Sequence, residues 1–132
     1  MLNNLKRSDL AFPELSYKII GALFEVHNNL GSGHHEKYYQ RALAEELKRQ
    51  NLIFQEQVYA PLLFKEENVG KYYLDFLIDD NIVLEIKKVD RFSKRHIDQV
   101  LAYLKIKNLK LGILANFGQN DVKFKRIINF DS

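Results

Sequence analysis

The sequence predicts an α/β protein in which a mixed β-sheet carries helices on its faces. Apolar residues recur at helical spacing in three segments, and short apolar runs bounded by turn residues lie between them. One predicted helix connects two apolar strands, which allows a parallel crossover, whereas tight turns join the other strands as hairpins. The predicted order of elements is α-α-β-β-β-α-β-β.

The first two elements are helices. Pro13 suits the first turn of a helix, and apolar residues follow at helical spacing until Gly31, which favours a helix end. The loop Gly31–Gly33 leads to a second helix, predicted over residues 34–50. The apolar positions of the two helices are Leu15, Ile19, Ala22, Leu23, Val26 and Leu30, then Tyr38, Tyr39, Ala42, Leu43 and Leu47.

The remaining elements are five strands and one helix. Turn residues interrupt the apolar runs twice, at 66–68 and 79–81, and Ser93 can cap a helix whose core positions include Ile97, Val100, Leu101 and Leu104. The predicted ranges are strands 52–64, 71–78 and 82–88, helix 94–107, and strands 111–117 and 122–130.

Length and composition favour a single domain. The chain has 132 residues, of which 46% are apolar and 28% charged, values typical of a globular protein. We predict one domain over residues 1–132, with residues 1–10 as a loosely packed N-terminus. The chain has no cysteine, which excludes disulfides and thiol catalysis, and no apolar run approaches the roughly 20 residues of a membrane span. We therefore expect a cytoplasmic protein without a membrane partner.

Positive charge is concentrated in one segment. Residues 87–110 carry eight basic and two acidic side chains, although the net charge of the whole chain is only +3. This concentration is compatible with a polyanionic partner such as nucleic acid. On charge alone, a solvated helix face is the favoured explanation.

Three charged residues interrupt the apolar hairpin over residues 73–88. Asp75 and Glu85 each lie five positions from Asp80 in the turn, so a symmetric hairpin places them opposite each other, and Lys87 shares the face of Glu85. Two adjacent carboxylates repel unless a cation or a proton lies between them, and such hard oxygen ligands suit a divalent cation. The alternative is a charged triplet on the solvent face of a hairpin.

Several segments, in order, resemble the GxxExxY family of the PD-(D/E)xK nuclease superfamily. Residues 33–39 read GHHEKYY and match the motif that names the family. The hairpin and the helix after it match two further motifs. The matched residues are Gly33, Glu36 and Tyr39, then Asp75 and Glu85-Ile86-Lys87, then Gln99 and Tyr103.

The resemblance implies a restriction-endonuclease-like fold and a metal-dependent nuclease acting on DNA or RNA. It implies magnesium or manganese as cofactor, and catalytic roles for Asp75, Glu85, Lys87 and Gln99. The metal ligands would be Asp75, Glu85, the carbonyl of Ile86 and Glu36. The basic residues that would contact the nucleic-acid backbone are Lys88, Arg91, Lys94 and Arg95.

Two departures from the family pattern concern cations near the site. Tyr73 stands where the family often has arginine, and His34 and His35 stand where it often has apolar residues. We interpret both histidines as exposed residues at a helix start, and His27 as a structural residue near a helix end.

Two other functions stay open. The chain can be a nucleic-acid-binding module that keeps the fold without cleaving, or a protein-interaction domain such as a homodimer, because its tyrosines are numerous enough to supply an aromatic interface. The tyrosines concerned are Tyr38, Tyr39, Tyr59, Tyr72 and Tyr73.

Overall fold

The structure is a computed structural model that describes residues 12–131. The N-terminus predicted over residues 1–10 lies outside the described residues. The elements are α1 (Pro13–Leu30), α2 (Glu36–Arg49), β1 (Phe54–Phe64), β2 (Glu67–Ile78), β3 (Ile82–Lys87), α3 (Lys94–Lys107), β4 (Leu111–Phe117) and β5 (Val122–Ile128). This order confirms the predicted α-α-β-β-β-α-β-β arrangement.

The five strands form one mixed sheet in the order β1-β2-β3-β4-β5. The pair β3–β4 is parallel, and the other three pairs are antiparallel. The parallel pair follows from α3, which crosses over between the two strands as the sequence predicted.

Helices cover both faces of the sheet. One core layer lies under α1 and α2 and includes Leu23, Leu43, Leu84 and Ile113; the other lies under α3 and includes Val100. Because β3 and β4 are covered on both faces, they are apolar almost throughout. Any charged side chain within β3 therefore enters a buried environment.

The hairpin β1–β2 differs from the prediction at its distal turn. The turn was expected at residues 66–68, but it is made by Lys65 and Glu66, whose φ angles are 48° and 72°. Glu67 therefore already pairs with Phe64, and β2 begins four residues earlier than predicted. The turn between β2 and β3 is confirmed.

Apolar helix positions are mostly confirmed. Two predicted positions are exceptions. Leu30 is 37% exposed because it lies in the last turn of α1, next to the loop, and Tyr38 is 42% exposed in the first turn of α2. No helix among residues 12–131 has both the length and the apolarity to cross a membrane.

A pair of glycine substitutions tests the packing of α3 on the sheet. A Cβ at Gly112 in β4 would lie 2.6 Å from Val100 Cγ1, so we expect Gly112→Ala to lower the free energy of unfolding. Overpacking of this kind costs about 1–3 kcal/mol. Gly21→Ala in α1 meets no atom within 4 Å, and we expect a gain of roughly 1 kcal/mol from helix propensity. Urea denaturation measures both, and equal effects would contradict this packing.

Candidate active site

The predicted carboxylate pair lies where β2 and β3 separate. Regular pairing of the two strands ends at Phe76–Leu84, and the next pair in that register is Asp75 and Glu85. Here backbone N–H groups bond to carboxylate side chains instead of to backbone carbonyls. The Asp75 N–H donates to Glu85 Oε1 at 2.7 Å, and the Ile86 N–H donates to Asp75 Oδ2 at 2.8 Å. Each carboxyl group is thus held by a backbone N–H of the opposite chain segment.

Burial raises the pKa of both carboxyl groups. The pKa of Glu85 rises to about 8, first because the side chain is removed from water and second because Asp75 lies beside it. The pKa of Asp75 is also raised by burial, although the Ile86 N–H and Lys87 partly oppose the rise. A hydrogen bond between the two carboxyl groups lowers the pKa of Asp75 and raises that of Glu85. Both carboxyl groups therefore favour the protonated form more than exposed carboxyl groups do.

Lys87 supplies the positive charge of the site. It lies at the end of β3, two residues beyond Glu85, and its charge lowers the pKa of Asp75 and Glu85 and also that of Glu36. Lys87 thus lies near the carboxylate pair, and its catalytic role stays a prediction. One ammonium group faces three carboxyl groups here, so the site can carry more negative than positive charge.

Glu36 approaches the same site from the start of α2. The Lys88 N–H donates a hydrogen bond to its carboxylate, and burial followed by the charge of Asp75 raises its pKa. The preceding loop is shaped by Gly31 and Gly33, whose φ angles are 74° and 92°. The Tyr39 hydroxyl donates to the Gly31 carbonyl at 2.6 Å, which fixes this loop to α2. The GxxExxY run thus brings its glutamate to the hairpin.

The donor set fits a divalent cation. Among residues 12–131, no three acidic or histidine side chains lie close enough together to hold a metal ion by themselves. Asp75 and Glu85 are nevertheless two adjacent hard oxygen ligands. Burial raises the pKa of both, and the charge of Asp75 raises that of Glu85 further, so a bound cation would favour their ionised forms. The carbonyl of Ile86 and the carboxylate of Glu36 are the further oxygen ligands that the sequence analysis named.

A cleft of about 590 Å³ opens beside Lys87, between β2 and α3. Gln99 lines this cleft together with Lys87, which brings the two predicted residues together. Tyr103, one helical turn further along, is only 2% exposed and packs edge-on against Tyr72 at 5.3 Å. Burial, followed by the nearby charges of Glu85 and Asp75, raises the pKa of its hydroxyl, so Tyr103 packs close to the carboxylate pair.

The four predicted nucleic-acid contacts are all exposed but differ in position. Arg95 lines the cleft beside Lys87, and Lys88 lines a second cleft of about 830 Å³ on the other side of β3. Lys94 forms an ion pair with Asp98 at 2.7 Å, and Arg91 lies in the loop before α3. Arg95 is thus the basic residue that shares a cleft with the predicted catalytic lysine.

The histidines near the loop have structural partners. His34 Nε2 lies 2.9 Å from the Leu30 carbonyl, and both His34 and His35 contact tyrosine rings of α2. His27 lies against Phe117 with ring centroids 6.4 Å apart. His34 and His35 are exposed just before α2, whereas the buried Nε2 of His27 has no hydrogen-bond partner among residues 12–131. The structural role of the three histidines stays a prediction.

Sequence reasoning missed two polar residues at the site. Asn116 is 4% exposed and bonds both the N–H and the carbonyl of Val89, which fixes the loop after β3. An asparagine inside the apolar strand Leu111–Phe117 was the signal that could have found it. Gln57 donates a hydrogen bond to the Asp75 carboxyl group. It lies in a polar run of β1, and no pattern distinguished it there.

Comparisons with known proteins agree with this geometry. A family model described as the PD-(D/E)XK nuclease superfamily matches residues 13–127. The solved structure of SSO0001 is similar with a TM-score of 0.50 and 14% identity, covering 86% of this chain and 76% of that chain. An alkaline exonuclease (LHK-Exo) from Laribacter hongkongensis is similar with a TM-score of 0.50 and 12% identity, covering 83% and 77%. A search of curated proteins finds no significant match.

Proposed function

The chain belongs to the PD-(D/E)XK nuclease superfamily, and from this premise we propose that it is a metal-dependent nuclease of the GxxExxY type that hydrolyses phosphodiester bonds in DNA or RNA. The observation that carries the proposal is the buried Asp75–Glu85 pair with Lys87 beside it. In a structural ion pair, one lysine would face one carboxylate. Here Lys87 faces the carboxyl groups of Asp75 and Glu85 and also that of Glu36.

Asp75 and Glu85 would hold magnesium or manganese, with the Ile86 carbonyl and Glu36 as further ligands. When bound, the metal would polarise the scissile phosphate and stabilise the leaving oxygen. Lys87 orients the attacking water and stabilises the negative charge that develops on the phosphate. Gln99 supports the site from α3, across the cleft that it shares with Lys87.

The GxxExxY assignment is supported by what its motif does in the structure. The glycine positions allow the left-handed loop, the tyrosine fixes that loop, and the glutamate reaches the hairpin. A cytoplasmic location stays a prediction, and so does a homodimer. Sedimentation of the purified protein would test the homodimer.

Metal binding tests the proposal directly. We expect calorimetry to detect binding of Mg²⁺ or Mn²⁺ to the wild-type protein and to find none in Asp75→Ala or Glu85→Ala, because each loses one of two adjacent ligands. Asp80→Ala is the matched control, since Asp80 is an exposed carboxylate in the turn of the same hairpin. Equal binding by all four proteins, or no binding with and without an oligonucleotide present, would refute the metal site.

Arg95 provides a test of the nucleic-acid interface. Each phosphate contact steepens the dependence of log K on log salt by about 0.9 for duplex DNA and 0.7 for single strands. We expect Arg95→Gln to reduce the slope by this amount in fluorescence anisotropy. Arg49→Gln is the control, because Arg49 lies at the opposite end of α2 from Glu36, roughly 20 Å away along the helix axis. An unchanged slope in Arg95→Gln would exclude this contact.

A further inference from the structure

The β1–β2 ribbon changes face at a single cross-strand position, the position of Asp75. On β2, Phe76 packs in the layer under α1 and α2, whereas Leu74 packs in the layer under α3. A regular strand would keep these two residues on the same face, because side chains alternate with a period of two. The neighbouring strand shows the same change between Phe54 and Val58.

The change of face is a local twist that involves no inserted residue. Glu56 pairs with Phe76 and Val58 pairs with Leu74, so one residue lies between these pairs on each strand, and the two lack a regular pair. Gln57 occupies that position on β1, with a φ of 51°. This left-handed backbone is disfavoured for a residue with a side chain other than asparagine or aspartate.

The twist determines where the Asp75 carboxylate lies. Instead of projecting from the sheet, the carboxylate occupies the gap between β2 and β3 and accepts the Ile86 N–H at 2.8 Å. Gln57 also contributes its side-chain amide, which donates to the same carboxyl group. The disfavoured backbone and the amide contact thus belong to one residue, directly across from Asp75.

We propose that Gln57 is a positioning residue of the candidate active site: its left-handed backbone turns Asp75 into the gap beside Glu85, and its side-chain amide holds the carboxylate there. Strained backbone of this kind persists where the surrounding structure enforces it, and it concentrates at functional sites. The predicted effect on catalysis rests on the proposed nuclease function, whereas the predicted effects on the Asp75 carboxylate and on folding do not.

Two substitutions in the same strand test the proposal. Gln57→Gly removes the amide but tolerates the left-handed backbone, so we expect its Tm to equal or exceed that of the wild type. Gln55→Gly is the matched control; Gln55 is exposed and donates to Asp80 Oδ1 at 3.4 Å, and its φ is not positive. We expect its Tm to fall, because glycine weakens a strand interior. A lower Tm in Gln57→Gly than in Gln55→Gly would overturn the backbone part of the proposal.

The amide of Ile86 reports the position of the carboxylate without any activity measurement. We expect Gln57→Gly to shift the Ile86 amide proton resonance and to speed its hydrogen exchange by about tenfold, as a local opening would. We also expect Mn²⁺ affinity to fall by about 10- to 100-fold, the usual effect of losing a group that orients a ligand. Gln57→Asn keeps an amide and tolerates the left-handed backbone. It should therefore restore part of the Ile86 amide protection and part of the Mn²⁺ affinity.

The outcomes separate this proposal from the proposed function. If the protein cleaves no nucleic acid but the Ile86 amide responds in Gln57→Gly and not in Gln55→Gly, the nuclease function fails and the positioning role stands. If the protein cleaves nucleic acid, we expect Gln57→Gly to lower kcat with little change in KM. An Ile86 amide and an Mn²⁺ affinity that match the wild type in Gln57→Gly would overturn the positioning role.

Discussion

Replacement of Lys87 by alanine is expected to lower the rate of phosphodiester cleavage by about 10²- to 10⁴-fold, the range for losing a positioned catalytic group. The physical reason is that Lys87 is the cation that interacts with Asp75, Glu85 and Glu36 together. Its removal leaves no ammonium at this point to orient water or stabilise charge on the phosphate. Cleavage of a labelled oligonucleotide at saturating metal concentration measures the effect.

A control variant separates catalysis from folding. Lys48→Ala removes an exposed lysine that forms a surface ion pair with Glu45 at 3.2 Å on α2. We expect Lys48→Ala to retain wild-type activity and both variants to stay folded by circular dichroism. Wild-type cleavage rates in a folded Lys87→Ala protein would remove Lys87 from the mechanism.

Without a divalent cation, the free energy of unfolding is expected to fall as pH rises from about 4.5 to about 8. In the folded protein the pKa of Glu85 is raised to about 8 from an ordinary value of 4.5. Between these values the unfolded chain binds fewer protons than the folded one, so rising pH favours unfolding. Each unit of pKa difference is worth about 1.4 kcal/mol, so the loss amounts to a few kcal/mol. Asp75 acts in the same direction, because its pKa is also raised.

Glu85→Gln provides the test of this pH dependence. The variant is uncharged and nearly isosteric, so we expect it to be more stable than the wild type at pH 8. We also expect its free energy of unfolding to change much less between pH 5 and pH 8. Urea denaturation at pH 5 and pH 8 measures the difference. Glu46→Gln on α2 should keep the wild-type profile, and Mg²⁺ at pH 8 should stabilise the wild type but not Glu85→Gln. A wild-type stability that rises from pH 5 to pH 8 would contradict the buried pair.

The fold could be predicted because local signals and the overall topology agree. Helical spacing, the Gly31 helix end and the turn at Asp79 and Asp80 each identified an element that the structure contains. The distal turn of the first hairpin was misplaced because Lys65 and Glu66 adopt left-handed backbone without glycine or asparagine to indicate it. Strand ends are decided there by pairing across the ribbon, which the local sequence does not encode.

The candidate site could be predicted in part, for a comparable reason. Counting outward from Asp80 placed Asp75 opposite Glu85, because the hairpin register follows from its turn. The same counting predicted a regular cross-strand pair and missed the twist at Gln57. It assumed that side chains alternate regularly between the two faces of the sheet along the whole strand. Gln57 became recognisable only once its φ and its contact with Asp75 were known.

Cleavage itself is the most direct measurement of the central claim. Single- and double-stranded DNA and RNA oligonucleotides would be incubated with the wild-type protein and with Asp75→Asn, each with Mg²⁺ or Mn²⁺ and with a chelator. The proposed mechanism predicts metal-dependent cleavage of at least one substrate by the wild type, and none by Asp75→Asn or in the presence of the chelator. Cleavage by Asp75→Asn at the wild-type rate, or no cleavage of any substrate by a wild-type protein that binds metal, would contradict it.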